Sequence, residues 1–402
     1  MTPFLQLTFV LAIILFAAKL AGYLSTRLGQ PAVLGELLVG LLLGPSLIDL
    51  THMAFITDRH LGEIVIELGE IGVLVLMFMA GLELHLSELT RNTRVSAYSG
   101  VLGVLVPVGM GFLAGSLFDL PLNSSIFLGL TLGATSVSIS AQTLMELKVL
   151  RSRVGLGLLG AAVFDDILVI LLLSTFLAIA GGGSGLEILG VIARMAAFLG
   201  LSAAFGFWVL PRLTHIVNRL PVSQSLLTFG IIVMMVYAIA AELLGGMAAI
   251  TGTFIAGLMF SRTPEKNQLE GGLRALAYSF FVPIFFVSIG LNVNIQELSL
   301  STLWLLVVIV VLAISGKVLG CGFGAWLGKF TLRESLQLGI GMVSRGEVGL
   351  IVATIGLQEG YLNETLFSAI VGMVLVTTLV TPPMLRASFK TPAPHTPVES
   401  TT

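Results

Sequence analysis

Two adjacent aspartates, Asp165 and Asp166, stand in the run from Gly157 to Gly181, which is otherwise made of apolar and small residues and is long enough to cross a bilayer. A carboxylate at the centre of a hydrophobic helix costs about 2.5 to 3.5 kcal/mol on insertion scales, and two neighbours repel each other unless a cation or a proton intervenes. The pair therefore reads as an ion or proton site. Four basic residues also fall inside apolar runs: Lys19, Arg194, Lys317 and Arg345. The first two lie close enough to a membrane surface for their long side chains to snorkel outward. The other two lie deeper. The intervals Arg153 to Asp165, Lys317 to Lys329 and Arg333 to Arg345 are each 12 residues. That is about 18 Å of helix from a charged flank. Three separate runs thus carry charge at one depth, where opposite signs can meet.

The elements that hold these charges follow from composition. Of 402 residues 56% are hydrophobic and 10% charged, with 46 glycines, which places the chain among polytopic all-α membrane proteins. Apolar runs of membrane-spanning length predict about 13 transmembrane helices. Spans 2, 5, 6, 9, 11 and 12 are expected near 31–48, 124–146, 154–180, 246–261, 298–327 and 335–358. Every Lys and Arg outside the spans except Arg59 falls in an odd-numbered loop or in the tail. Under the positive-inside rule the N-terminus is outside and the C-terminus cytoplasmic, which suits a bacterial inner (plasma) membrane. The first apolar run lacks a basic leader and carries Lys19, so it is expected to be a true span and not a cleaved signal. Cys321 is the only cysteine, which excludes an intrachain disulfide.

Weak self-similarity orders the spans further. Gly81-Leu-Glu-Leu at the end of span 3 is echoed by Gly290-Leu-Asn-Val at the end of span 10, and Gly35 to Gly40 in span 2 by Gly252 to Gly257 in span 9. Units that start seven spans apart enter from opposite sides. This predicts two inverted six-helix repeats joined by a linker helix. In that scheme span 5 pairs with span 12, and both are unusually polar, with Thr135, Ser136, Ser138 and Ser140 in one and Ser344, Arg345, Gly346 and Glu347 in the other. Such residues suit broken crossing helices whose freed backbone groups bind ions. Span 5 alone suits an intact helix whose hydroxyls bond back to carbonyls equally well, but its pairing with span 12 and with the Asp165-Asp166 span favours broken crossing helices in the core domain.

Five elements in order, Gly35-Glu-Leu-Leu-Val-Gly40 with Gly44-Pro45, Gly81-Leu-Glu-Leu84, Phe164-Asp-Asp-Ile167, Ser315-Gly-Lys317 and Ser344-Arg-Gly-Glu347, resemble the second branch of the monovalent cation:proton antiporters. That family includes bacterial sodium/proton exchangers and the membrane domains of Kef-type potassium efflux proteins. The resemblance covers nearly the whole chain. It implies an elevator in which a core transport domain (91–182 and 298–389) moves against a dimerising scaffold (1–90 and 221–297); the repeat scheme leaves a linker helix at 183–220, and the Pro/Thr composition of 390–402 predicts a disordered tail. It also implies that Asp166 binds cation or proton, that Asp165 pairs with Lys317, that Thr135 and Ser136 supply oxygen ligands, and that Arg345 and Glu347 stabilise the break in span 12. Kef-type proteins typically carry Gln-Asp where this chain has Asp165-Asp166, which favours self-contained exchange over regulated potassium efflux.

The expected function is therefore secondary active antiport by a homodimer, most directly of sodium for protons, with Asp166 as an alkali-cation site and Asp165 and Lys317 beside it. None of the five histidines is placed mid-membrane, so proton handling falls to the carboxylates and the lysine, titrating as a coupled unit. Potassium or lithium are alternative cargo, a potassium/proton antiporter or efflux protein is the alternative transporter, and a non-turnover channel is the alternative class. A channel calls for a ring of repeated ligands, which this asymmetric cluster does not provide. No enzyme activity, cofactor or nucleic-acid partner is expected.

Overall fold

A computed structural model of the protein describes residues 2–53, 56–58, 60–83, 92–180, 185–291 and 300–389, and every regular element among them is helical. Arg59, Arg91, the repeat segments 84–89 and 292–298, and the tail from Lys390 lie outside the described residues. In chain order the helices are α1 (Pro3–Arg27), α2 (Ala32–Leu43), α3 (Leu61–Glu83), α4 (Thr93–Leu117), α5 (Leu122–Gly133), α6 (Val137–Glu146), α7 (Arg153–Ala180), α8 (Gly185–Ala204) and α9 (Leu210–Asn218). They continue with α10 (Ser225–Ala240), α11 (Ala249–Phe260), α12 (Lys266–Leu276), α13 (Val282–Leu291), α14 (Leu300–Leu327), α15 (Leu332–Gly341), α16 (Glu347–Gln358) and α17 (Glu364–Phe389).

Among the described residues, 10 helical stretches are long and apolar enough to cross a membrane, and three shorter apolar helices accompany them. This is an integral membrane protein. The shorter helices correct two of the expected lengths. The run near 246–261 is helical only over Ala249–Phe260, and α2 stops at Leu43, where Gly44 and Pro45 end it. Helix starts follow local chemistry. Thr2 caps α1 ahead of Pro3, and Thr331 with Glu334 forms a reciprocal capping box on α15.

Two sets of helices pack internally. In the first, α2 lies on α1 and α13, and α3 on α11 and α13. In the second, α4 lies on α5, α7 and α14, while α14 also meets α15 and α17. Each set has an apolar cluster of its own, around Val10, Ile14 and Ile284 in the first and around Val104, Phe127 and Met373 in the second, and a third, larger cluster runs across both. Lipid tails are as apolar as leucine, so helix association here depends on close packing. The α3–α11 contact shows how close. A Cβ on Gly257 would stand 2.1 Å from the Phe78 carbonyl oxygen, and one on Gly81 would stand 2.2 Å from that of Phe254. Gly257→Val is therefore expected to separate the two helices and lower the melting temperature in detergent, overpacking of this kind costing about 1 to 3 kcal/mol or more. An unchanged melting curve would show that the pair yields easily.

Candidate functional site

The two polar spans are broken where the hydroxyls and glycines fall. Helix α5 ends at Gly133 and α6 begins at Val137, while α15 ends at Gly341 and α16 begins at Glu347. The extended segments between them cross. The amide of Ser136 donates to the carbonyl of Ser344 at 2.9 Å, and the hydroxyl of Ser140 donates to that of Gly341. Gly346 sits at the crossing in extended backbone, where a Cβ would stand 2.7 Å from the Ser136 side chain. Only a residue without a side chain fits there.

Breaking two helices inside a membrane frees carbonyls that must find donors. Arg345 is that donor. Fully buried, its guanidinium donates to Val343 at 2.7 Å and Met342 at 3.2 Å, just beyond the end of α15. It also donates to Leu132 at 2.8 Å in the last turn of α5, and to Ala313 of α14 at 3.1 Å. A cation thus sits against the C-terminal, partly negative ends of two half-helices. Thr378 of α17 donates to the Arg345 carbonyl at 2.6 Å and holds the segment from behind. The backbone of Glu347 opens α16, while its side chain is outside the described residues.

Helix α7 carries the carboxylates alongside this crossing. Successive residues on a helix point about 100° apart, so Asp165 and Asp166 face different neighbours. Asp165, 1% exposed, accepts from Lys317 of α14 at 3.0 and 3.2 Å and from the Thr135 hydroxyl at the first break. Lys317 is itself fully buried. Asp166, 7% exposed, instead accepts at Oδ2 from the hydroxyl of Thr251 in α11 at 2.8 Å. It lines a gap of about 10 Å³ walled by Met77, Val137, Ile250 and Phe254 among others. A space that size holds at most about one water.

The structure therefore brings Asp165, Lys317 and Thr135 together and sets Asp166 next to them, turned toward the first set of helices. The other expected oxygen ligand, Ser136, has its hydroxyl 3.0 Å from that of Ser138. Thr251 is not among the residues that the sequence singles out, although its helix is part of the repeat pattern. A threonine in an apolar run is ordinarily bonded back to its own helix, as Thr253 two residues on is to the Ile250 carbonyl, and no spacing ties Thr251 to Asp166. Lys19 donates to the Tyr278 carbonyl at 2.7 Å and stands 3.8 Å from the Glu36 carboxylate, and Arg194 donates to the Leu243 and Leu244 carbonyls at 2.8 and 3.2 Å.

The Asp165–Lys317 pair makes a quantitative prediction. Removing one partner of a buried pair strands the other charge and costs about 3 to 5 kcal/mol, whereas removing both is often close to neutral. Lys317→Met and Asp165→Asn should each lower the melting temperature sharply, and the double variant should recover most of the loss. A double variant no more stable than the worse single would show that the two charges are held by other partners.

Residues 12–391 match the family described as "Sodium/hydrogen exchanger, transmembrane". The chain is 40% identical over 381 residues to the Na(+)/H(+)-K(+) antiporter GerN of Bacillus cereus, covering 95% of this chain and 96% of that one. It is 36% identical over 380 residues to a Na(+)/H(+) antiporter of Enterococcus hirae, covering 94% and 96%. Among solved structures it resembles the sodium proton antiporter MjNhaP1 of Methanocaldococcus jannaschii, with a TM-score of 0.70 at 17% identity over 96% of this chain and 95% of that one, a likeness of fold. A polytopic helical membrane protein with crossed broken helices and buried charges at its centre is the class that the geometry defines. The chain belongs to the sodium/hydrogen exchanger family, a family of membrane transporters.

Proposed function

We propose that this protein is a secondary active cation/proton antiporter that exchanges sodium for protons, with Asp166 binding one or the other. The observation that carries this reading is the placement of Asp166: a buried carboxylate at the boundary between two packed sets of helices, beside a second carboxylate whose charge Lys317 already balances. Hydroxyl, carbonyl and carboxylate oxygens are the ligands a hard alkali cation takes. A proton neutralises the same carboxylate, so the two compete for one place. Thr135 and Asp165 complete the polar side of the site, and Ser136, Arg345 and Glu347 hold the crossing.

The alternating-access step is read as an elevator. Segments 91–182 and 298–389 form the moving core, 1–90 and 221–297 the scaffold, and 183–220 the linker. The packing of α4, α5, α7, α14, α15 and α17 on one another, and of α1, α2, α3, α11 and α13 among themselves, supports this division. Thirteen passes in two inverted repeats, an external N-terminus, a cytoplasmic C-terminus, an inner-membrane location and a homodimer complete the reading. Potassium is the second cargo to consider, because GerN carries potassium in its name.

The test is proton movement in proteoliposomes, followed with an enclosed pH-sensitive dye while sodium, potassium or lithium is added in turn. Sodium-triggered proton flux carries the proposal. A response to potassium alone moves the cargo assignment, and no response to any of the three overturns antiport.

A further inference from the structure

The hydrogen bond from Thr251 to Asp166 joins the two sets of helices. Thr251 is 3% exposed and lies in the first turn of α11, in the set read as the scaffold, while Asp166 belongs to α7 in the set read as the core. Its environment is apolar on several sides, with Met77, Ile250 and Phe254 closing the same gap. A hydroxyl placed there has one evident task, which is to donate to the carboxylate at 2.8 Å.

The strength of that donation depends on what Asp166 carries. A bond to an ionised acceptor is roughly twice as strong as one between neutral groups. Protonation of Asp166 removes the charge. An alkali cation at Asp166 offsets the carboxylate charge, and where it takes the Thr251 hydroxyl as a ligand that hydroxyl turns its hydrogen away and presents a lone pair, since a hydroxyl is both donor and acceptor. In both loaded states the tie between the two sets weakens, and in the empty, charged state it is strongest. An exchanger needs this ordering. If the empty carboxylate crossed the membrane, sodium would leave without a proton returning.

We propose that Thr251 is a positioning residue that locks the empty, ionised Asp166 to the scaffold and releases it when a cation or proton arrives, thereby making exchange obligatory and preventing net sodium leak. The inference rests on the reading of Asp166 as the exchanged carboxylate and of α11 as part of the scaffold. It concerns coupling more than affinity.

The experiment compares two fluxes of radioactive sodium from the same proteoliposomes, buffered alkaline on both sides so that protons are scarce. One is exchange against external sodium, which never requires the empty carrier to cross. The other is net efflux into sodium-free medium, which does. Native protein should exchange rapidly and leak slowly. Thr251→Val keeps the shape and loses the hydroxyl, and is expected to lower the ratio of exchange to net efflux by about tenfold or more, the scale set by a hydrogen bond to a charged group. Thr251→Ala should behave alike if the valine variant folds poorly, and Thr251→Ser should restore the native ratio. A native ratio in the valine and alanine variants overturns the lock, as does loss of both fluxes together. Sodium exchange that persists in Asp166→Asn would instead overturn the underlying assignment of Asp166, so the two failures are distinct.

Discussion

Replacing Asp166 by asparagine is expected to reduce sodium-driven proton flux to the level of empty liposomes while leaving the protein folded. The amide has nearly the shape of the carboxylate, and its oxygen can still accept from Thr251 at the position where Oδ2 accepts now. What it lacks is a proton to give and a charge with which to hold a cation. Stability should change little, because the shape and the Thr251 contact are kept while the cost of burying an ionised group is removed. The melting temperature should stay near native or rise. Proton flux in this variant, triggered by sodium and scaling with protein in the liposomes, would remove Asp166 from the mechanism. A collapse of the melting curve would assign it a structural role like that of Asp165.

The opposite pattern is expected at Arg345, where loss of function should follow from loss of structure. Its guanidinium reaches four carbonyl oxygens across two helix breaks and α14. Arg345→Met fills much of the same volume with no donor at all. Hydrogen bonds to charged groups are each worth about 1.5 to 3 kcal/mol, and buried acceptors left without donors add their desolvation penalty. Even allowing for poor additivity, the total falls in the exceptional range above about 4 to 5 kcal/mol. Most of the protein should aggregate when extracted into detergent, as read by size-exclusion chromatography. Arg345→Lys should be intermediate, because an ammonium group has three donors where the guanidinium has a planar set of five. A methionine variant that elutes and melts like native protein would show that the crossing does not depend on this side chain.

These two residues also mark how far the amino-acid sequence alone reveals the site. Asp166 stands out because a carboxylate in an apolar run has no bland explanation, and the depth shared with Lys317 and Arg345 follows from helical rise alone. The breaks are visible as small and hydroxyl residues in otherwise apolar spans. The partners across space are not legible in this way. The four acceptors of Arg345 are backbone carbonyls, which every residue has, so no side-chain pattern marks them. Thr251 sits 85 positions from Asp166, and nothing in its own helix sets it apart. The short reach of α2 and α11 is likewise hidden, because apolar composition continues beyond the helical residues into turns that only the packing defines.

The neighbouring positions of the two aspartates have a consequence for how such a chain can vary. A single residue inserted into α7 between Arg153 and Asp165 would turn the rest of the helix by about 100°, carrying both carboxylates away from Lys317 and Thr251 at once. A substitution along that stretch disturbs one set of contacts at a time, but a change in its length cannot be compensated by any one replacement elsewhere. Insertions and deletions tolerated in this protein should therefore gather in the connections between helices, and the interval from the membrane surface to Asp165 should behave as a fixed ruler.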